Sequence, residues 1–226
     1  MRSLLPGALA LACAAAWALG ACGAAAPRRA APRFVFAPLA YDTAAIREPG
    51  QPAGTGSGFD PQRDALDGAQ LPGGAEPQVA SWPVAGVAVP FELPGAQGDN
   101  AVILPAGGPP VAIGAPPGAY RNLYFLEGVG GGPAVVDVGL TYAGGGAPVQ
   151  QRVPFDDWCG GAGNLPAFPT ADRVDAAGGL QPFGCGLFVR RVALDPGRRL
   201  LQVTAAADAS SSGGAQVNVV AVTLQR

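Results

Sequence analysis

The stretch AVVDVGLTY, Ala134–Tyr142, decides the fold class. In an extended chain, successive side chains point to opposite faces. That sets Val136, Val138, Leu140 and Tyr142 together and turns Asp137 and Thr141 outward. Working outward, the same period of two recurs. GVAVPFEL puts Val87, Val89, Phe91 and Leu93 on one side. YRNLYFLE puts Leu123 and Phe125 on one face, with Tyr124 and Leu126 on the other. PVQQRVPF aligns Val149, Gln151, Val153 and Phe155. FVFAPL, NAVIL, PPVAI, CGLFVRRVAL, RRLLQVTA and QVNVVAVTL add further short extended runs. Between them lie AGGGAP and LDPGRR, with the glycines and prolines that turns require. No window of the mature chain carries a helical stripe. About nine or ten strands at short spacing predict an all-β, antiparallel β-sandwich or jelly roll. Tyr41 to about Gly74 is expected to be irregular, with Gln51–Gly74, Ala209–Gly214 and Gly160–Gly184 as loops.

Composition narrows the chemistry. The 226 residues include 35 glycines and 24 prolines, which turn chemistry explains better than disorder once the strand pattern is seen. There is no histidine, so Ser-His-Asp and Cys-His nucleophiles and imidazole metal sites are excluded. All 14 cations are arginines, which removes Schiff-base and lysine-phosphate chemistry. The arginines are scattered or paired and the net charge is −2, which argues against a nucleic-acid partner.

The amino terminus carries an address. Residues 1–21, MRSLLPGALALACAAAWALGA, pair a basic start with an apolar run and a small-residue close, the pattern of a secretory signal. Leu19–Cys22, LGAC, resembles the bacterial lipobox. That resemblance implies a diacylglycerol on the Cys22 sulfur, cleavage before Cys22, and acylation of the new terminus. The partner would then be the lipid bilayer, and the location the cell envelope, facing periplasm or exterior. Each buried methylene contributes about 0.8 kcal/mol, so two or more chains hold firmly. Residues 22–33 read as the lipidated cysteine and a flexible Ala-Pro-Arg tether, and residues 34–226 as the β domain.

With Cys13 in the leader and Cys22 lipidated, Cys159 and Cys185 remain. In an exported chain an even remainder reads as a disulfide, worth about 3.5 kcal/mol by loop-closure entropy. Among the carboxylates, Asp60, Asp64 and Asp67 could ligate calcium through oxygen, though without the alternating ligands of an EF-hand. A solvated acidic loop is the plainer reading, and no other cofactor is expected. Asp156 and Asp157 are adjacent, so in a strand they face opposite sides, a poor arrangement for a glycosidase pair. Trp82, Trp158, Tyr41 and Tyr120 flank turns, where aromatic rings can stack on sugars. Trp158, beside Cys159, also reads as packing on the disulfide, and Trp82 divides between core and surface. Trp82, Asp156, Asp157 and Trp158 are the candidate ligand-binding residues.

Several segments resemble one module. YRNLYFLEGVGGGPAVVDVGLTYAGG, the later Asp157–Trp158, LDPGRRLLQVTA and VNVVAVTL are similar in order and type to a β-sandwich unit attached to bacterial glycoside hydrolases, including alpha-mannosidase-like enzymes. VAGVAVPFELP followed by DNAVIL resembles its earlier strand and asparagine-containing turn, and DALDGAQLPG its acidic-glycine opening. The chain departs from the pattern at YAGGG, where the hairpin aspartate is missing. The resemblance implies a galactose-binding-like jelly roll and carries over no catalytic residue, since such modules are generally non-catalytic. The expected function is therefore a membrane-anchored envelope lipoprotein with a structural or protein-interaction role. The alternative is a carbohydrate-binding module for envelope or environmental glycans. A glycoside hydrolase stands third, because it needs two carboxylates converging in one cleft. Fold alone does not choose among these.

Overall fold

A computed structural model describes residues 31–226 except 75, 161–164 and 212–213. The leader and Cys22, with the lipidation expected there, lie outside the described residues. Strands are numbered β1 to β17 in chain order. The largest sheet is antiparallel and runs β1 (Phe34–Phe36), β17 (Gln216–Gln225), β9 (Asn122–Gly130), β15 (Cys185–Ala193) and β12 (Phe168–Thr170), with β6 (Val102–Leu104) also on β17. A second antiparallel sheet runs β11 (Val149–Phe155), β10 (Ala134–Tyr142), β16 (Arg199–Ala207) and β7 (Val111–Ile113), with β8 (Gly118–Ala119) also on β16. A hairpin joins β4 (Gln78–Val84) to β5 (Val87–Leu93). Its turn residues Ala85 and Gly86 both have positive φ, as a two-residue hairpin turn demands. A small mixed sheet holds β14 (Leu180–Gln181), β13 (Arg173–Val174), β3 (Ala65–Asp67) and β2 (Ile46–Arg47). Among the described residues there is no α-helix, and one 3-10 turn spans Gly68–Gln70. No described helix is long and apolar enough to cross a membrane.

The inward side chains predicted for β10 do face a core. Val136, Val138 and Leu140 pack with Val203 and Ala205 of β16 against Leu123 and Phe125 of β9 and Val217, Val219 and Leu224 of β17. Phe125 and Phe155 meet at 5.5 Å in a tilted ring pair. A second core lies on the other face of β9 and β17. Tyr124, Leu126, Val220 and Ala221 pack there with Val89, Phe91 and Leu93 of β5 and with Phe59, Leu66 and Trp158. The largest sheet is thus covered on both faces, and its two central strands are buried almost throughout. A bulge between Val219 and Ala221 lets Val220 and Ala221 both face the second core.

The structure overturns two expectations and extends a third element. The stretch from Tyr41 to Gly74 is not a plain loop. It holds β2 and β3, and Phe59 and Leu66 are fully buried. Segment 58–59 is tied to β17 where Asn218 Nδ2 donates to Phe59 O (3.0 Å) and Gln216 Nε2 to Gly58 O (2.6 Å). Strand β9 runs on to Gly130, three residues past the alternating run YRNLYFLE. A Cβ on Gly128 would lie 2.7 Å from the Phe59 ring, and one on Gly130 would lie 2.1 Å from Phe59 O. Those two glycines let the Phe59 segment approach the sheet. Finally, Gly160–Gly184 contains β12, β13 and β14 rather than only loop.

Candidate functional site

A cleft of about 260 Å³ opens where β12 ends, since β12 pairs with β15 only as far as Leu187. Beyond that point Phe188, Val189 and Arg190 of β15 line it together with residues 82–85 near the end of β4, Asp156 and Leu165. Trp82 is half-buried, and its ring meets Phe168 at 6.3 Å. Leu165 is 87% exposed.

The cleft's polar groups form a network. Arg190 Nη2 pairs with Asp156 Oδ2, and Arg190 Nε lies 3.4 Å from Glu127 Oε1. The Asp156 amide donates to the same Glu127 oxygen at 3.3 Å. Segment 156–158 is stitched in place on two sides. Val129 N donates to Asp156 O (2.9 Å), Trp158 N to Val129 O (3.0 Å), and Gly186 N to Trp158 O (2.7 Å). The expected disulfide between Cys159 and Cys185 is present. It joins the segment carrying Asp156 to the start of the strand carrying Arg190.

Glu127, a site residue that the sequence reading did not select, is fully buried. Its Oε2 has no hydrogen-bond partner among the described residues. Burial pushes its carboxyl well above the ordinary glutamate range, with Arg190 pulling the other way. A carboxyl that holds its proton more tightly when folded contributes most below its unfolded value of 4.5. That contribution is lost as pH rises toward the folded value. Urea denaturation of wild type and Glu127→Gln across pH should show wild-type stability falling relative to the variant as pH rises from 4.5. A difference independent of pH would contradict the shift.

Of the four candidate ligand residues, Trp82 and Asp156 share the cleft, while Asp157 and Trp158 are placed elsewhere. Asp157 Oδ1 accepts from Cys159 N at 2.9 Å and shapes the turn into the disulfide. Trp158 is 3% exposed and stacks on Phe59 with centroids 4.7 Å apart, so no sugar can reach its face. Tyr120 is likewise buried, and Tyr41 Oη donates to Val220 O.

Asp60, Asp64 and Asp67 are buried rather than solvated, and each carboxylate has separate work. Asp60 Oδ1 accepts from Asp64 N, Asp64 Oδ2 pairs with Arg173 at 3.1 Å, and Asp67 accepts from Ala69 N and Gln70 Nε2. Among the described residues no group of three His, Cys, Asp or Glu side chains is placed to hold a metal ion.

No known family's sequence profile matches the chain, and no curated protein matches it.

Proposed function

We propose that this protein is a lipid-anchored envelope lipoprotein whose β domain is a galactose-binding-like β-sandwich, and that its role is non-catalytic glycan binding at the Trp82 cleft. One observation carries the reading: an aromatic ring and a charge-assisted donor–acceptor pair, Trp82 with Arg190 and Asp156, line the same opening. A pyranose presents an apolar face to a ring and hydroxyls to fixed polar groups. The Arg190–Asp156 pair offers donors and acceptors already oriented by Glu127 and the disulfide-linked segment. The anchor at Cys22 would keep such a site at the membrane surface.

A glycan-array screen of the purified protein, repeated with Trp82→Ala, tests this. Loss of the ring should weaken binding by roughly tenfold or more, a deficit of about 1.4 kcal/mol. No glycan bound, or one bound equally by the variant, refutes the site. Fatty-acid labelling tests the anchor, and absence of label refutes lipidation at Cys22.

A structural or protein-interaction role is the second reading, favoured by the strand edge. No described strand flanks β15 on the β12 side past Leu187, and Leu165 stands out beside it. An extended peptide could pair there. Retrieval of an envelope protein that competes for this edge, with no glycan bound, would decide for it.

A further inference from the structure

Arg47, at the end of β2, is a buried cation without a direct counter-charge. It is 3% exposed, and among the described residues no carboxylate lies within ion-pair distance of it. Buried charges are normally paired, because desolvating a lone ion is costly. Its Nη2 donates to the carbonyls of Arg63, Val174 (3.2 Å) and Asp175 (3.2 Å), and its Nη1 to Gln51 O (3.2 Å). Its Nε has no hydrogen-bond partner among the described residues. Burial lowers its pKa, which only the more distant Asp64, Asp175 and Asp60 oppose.

Arg47 also lines a cleft of about 480 Å³, larger than the one at Trp82. Gln51, Thr55, Ser57, Gln97 and Asp99 supply hydrogen-bonding groups around it. We propose that this second cleft binds a small monocarboxylate, its carboxylate facing Arg47 and a neighbouring hydroxyl or ammonium facing Asp99. A guanidinium with donors to spare is matched by a planar carboxylate. A multiply charged anion fits worse, because Asp99 stands on the wall and the fields of Asp64, Asp175 and Asp60 already act on Arg47. The shared chemistry, a carboxylate with an adjacent donor, belongs to sugar acids and to amino acids alike.

Calorimetric titration of the purified protein with glucuronate, alanine, their uncharged counterparts glucose and alaninamide's acetylated form, and inorganic phosphate tests the site. Saturable binding of glucuronate or alanine, absent for the uncharged probes, is the expected result, and which of the two binds identifies the source. Arg47→Gln should abolish it, but that change also removes bonds to four carbonyls. Thr55→Trp leaves Arg47 in place and fills the cleft from an exposed position. It should weaken binding by more than about tenfold at unchanged melting temperature. Trp82→Ala, in the other cleft, should leave it intact. No binding of either acid, equal binding of the uncharged probes, tighter binding of phosphate, or full affinity in Thr55→Trp would each overturn the proposal.

Discussion

Phe59→Ala is expected to destabilise the protein by about 3–5 kcal/mol, as much as a truncation in the middle of the first core. Phe59 comes from a Gly-, Pro- and Asp-rich stretch whose composition reads as surface loop. Yet its ring is fully buried, lies parallel to the Trp158 indole, and covers the bare backbone of Gly128. Removing it leaves a cavity bounded by a sheet, a tryptophan and a hydrogen-bonded loop, none of which can collapse readily. For a chain of this size, that loss lowers the melting temperature by roughly 2–4 °C per kcal/mol. Thermal or urea denaturation measures it, with Val79→Ala at an exposed site of β4 as the control, expected within about 0.5 kcal/mol of wild type. A Phe59→Ala effect as small as the control's would return the stretch to loop status.

The second large effect belongs to the disulfide. Cys159 and Cys185 are separated by 26 positions, and the chain-entropy argument puts their bond at about 3.5 kcal/mol. The double variant Cys159→Ala/Cys185→Ala should therefore melt roughly 7–14 °C lower. The enclosed segment supplies β12, whose Phe168 is buried in the second core, and β13, whose Arg173 pairs with Asp64. Native packing thus opposes opening of the segment, but those strands are two or three residues long and hold weakly alone. Because the bond also fixes the segment bearing Asp156 to β15, the glycan affinity proposed for the Trp82 cleft should fall with it. An unchanged melting temperature would show that packing alone holds the segment.

What the sequence showed and what it hid follow from the same physics. Strands β5 and β10 were legible because alternate residues meet a core, which leaves a period of two. Leu123 and Phe125 were set against Tyr124 and Leu126, and those pairs do enter different cores. That the second face would also be covered was not legible. Part of its cover is the legible strand β5, but the rest comes from isolated apolar residues such as Phe59 and Leu66, which no periodic run announces. The place of Gly128 and Gly130 inside β9 was not legible, because a glycine that makes room for another segment leaves no side-chain signal. The strands between Gly160 and Gly184 are too short to show alternation.

The sites divide in the same way. Trp82 and Asp156 could be chosen as residue types suited to sugars, but only the fold brings two such distant segments to one cleft. Glu127 had a signal that went unused: a lone charge inside the apolar run YFLEGVG. Arg47, in AIREPG, had none. The aspartate cluster read as a solvated loop because spacing alone does not show that its carboxylates are buried, cap turns and pair with an arginine.

The central claim is that the sheet containing β9 and β17 is covered on both faces, the second cover including Phe59 from the irregular stretch before β4 as well as β5 and Trp158. Proton NOE spectroscopy of the folded protein tests it most directly. The account predicts strong cross-peaks between the Phe59 ring and the Trp158 indole, whose centroids stand 4.7 Å apart. A Phe59 ring with sharp, averaged resonances and no contact to Trp158 would contradict it.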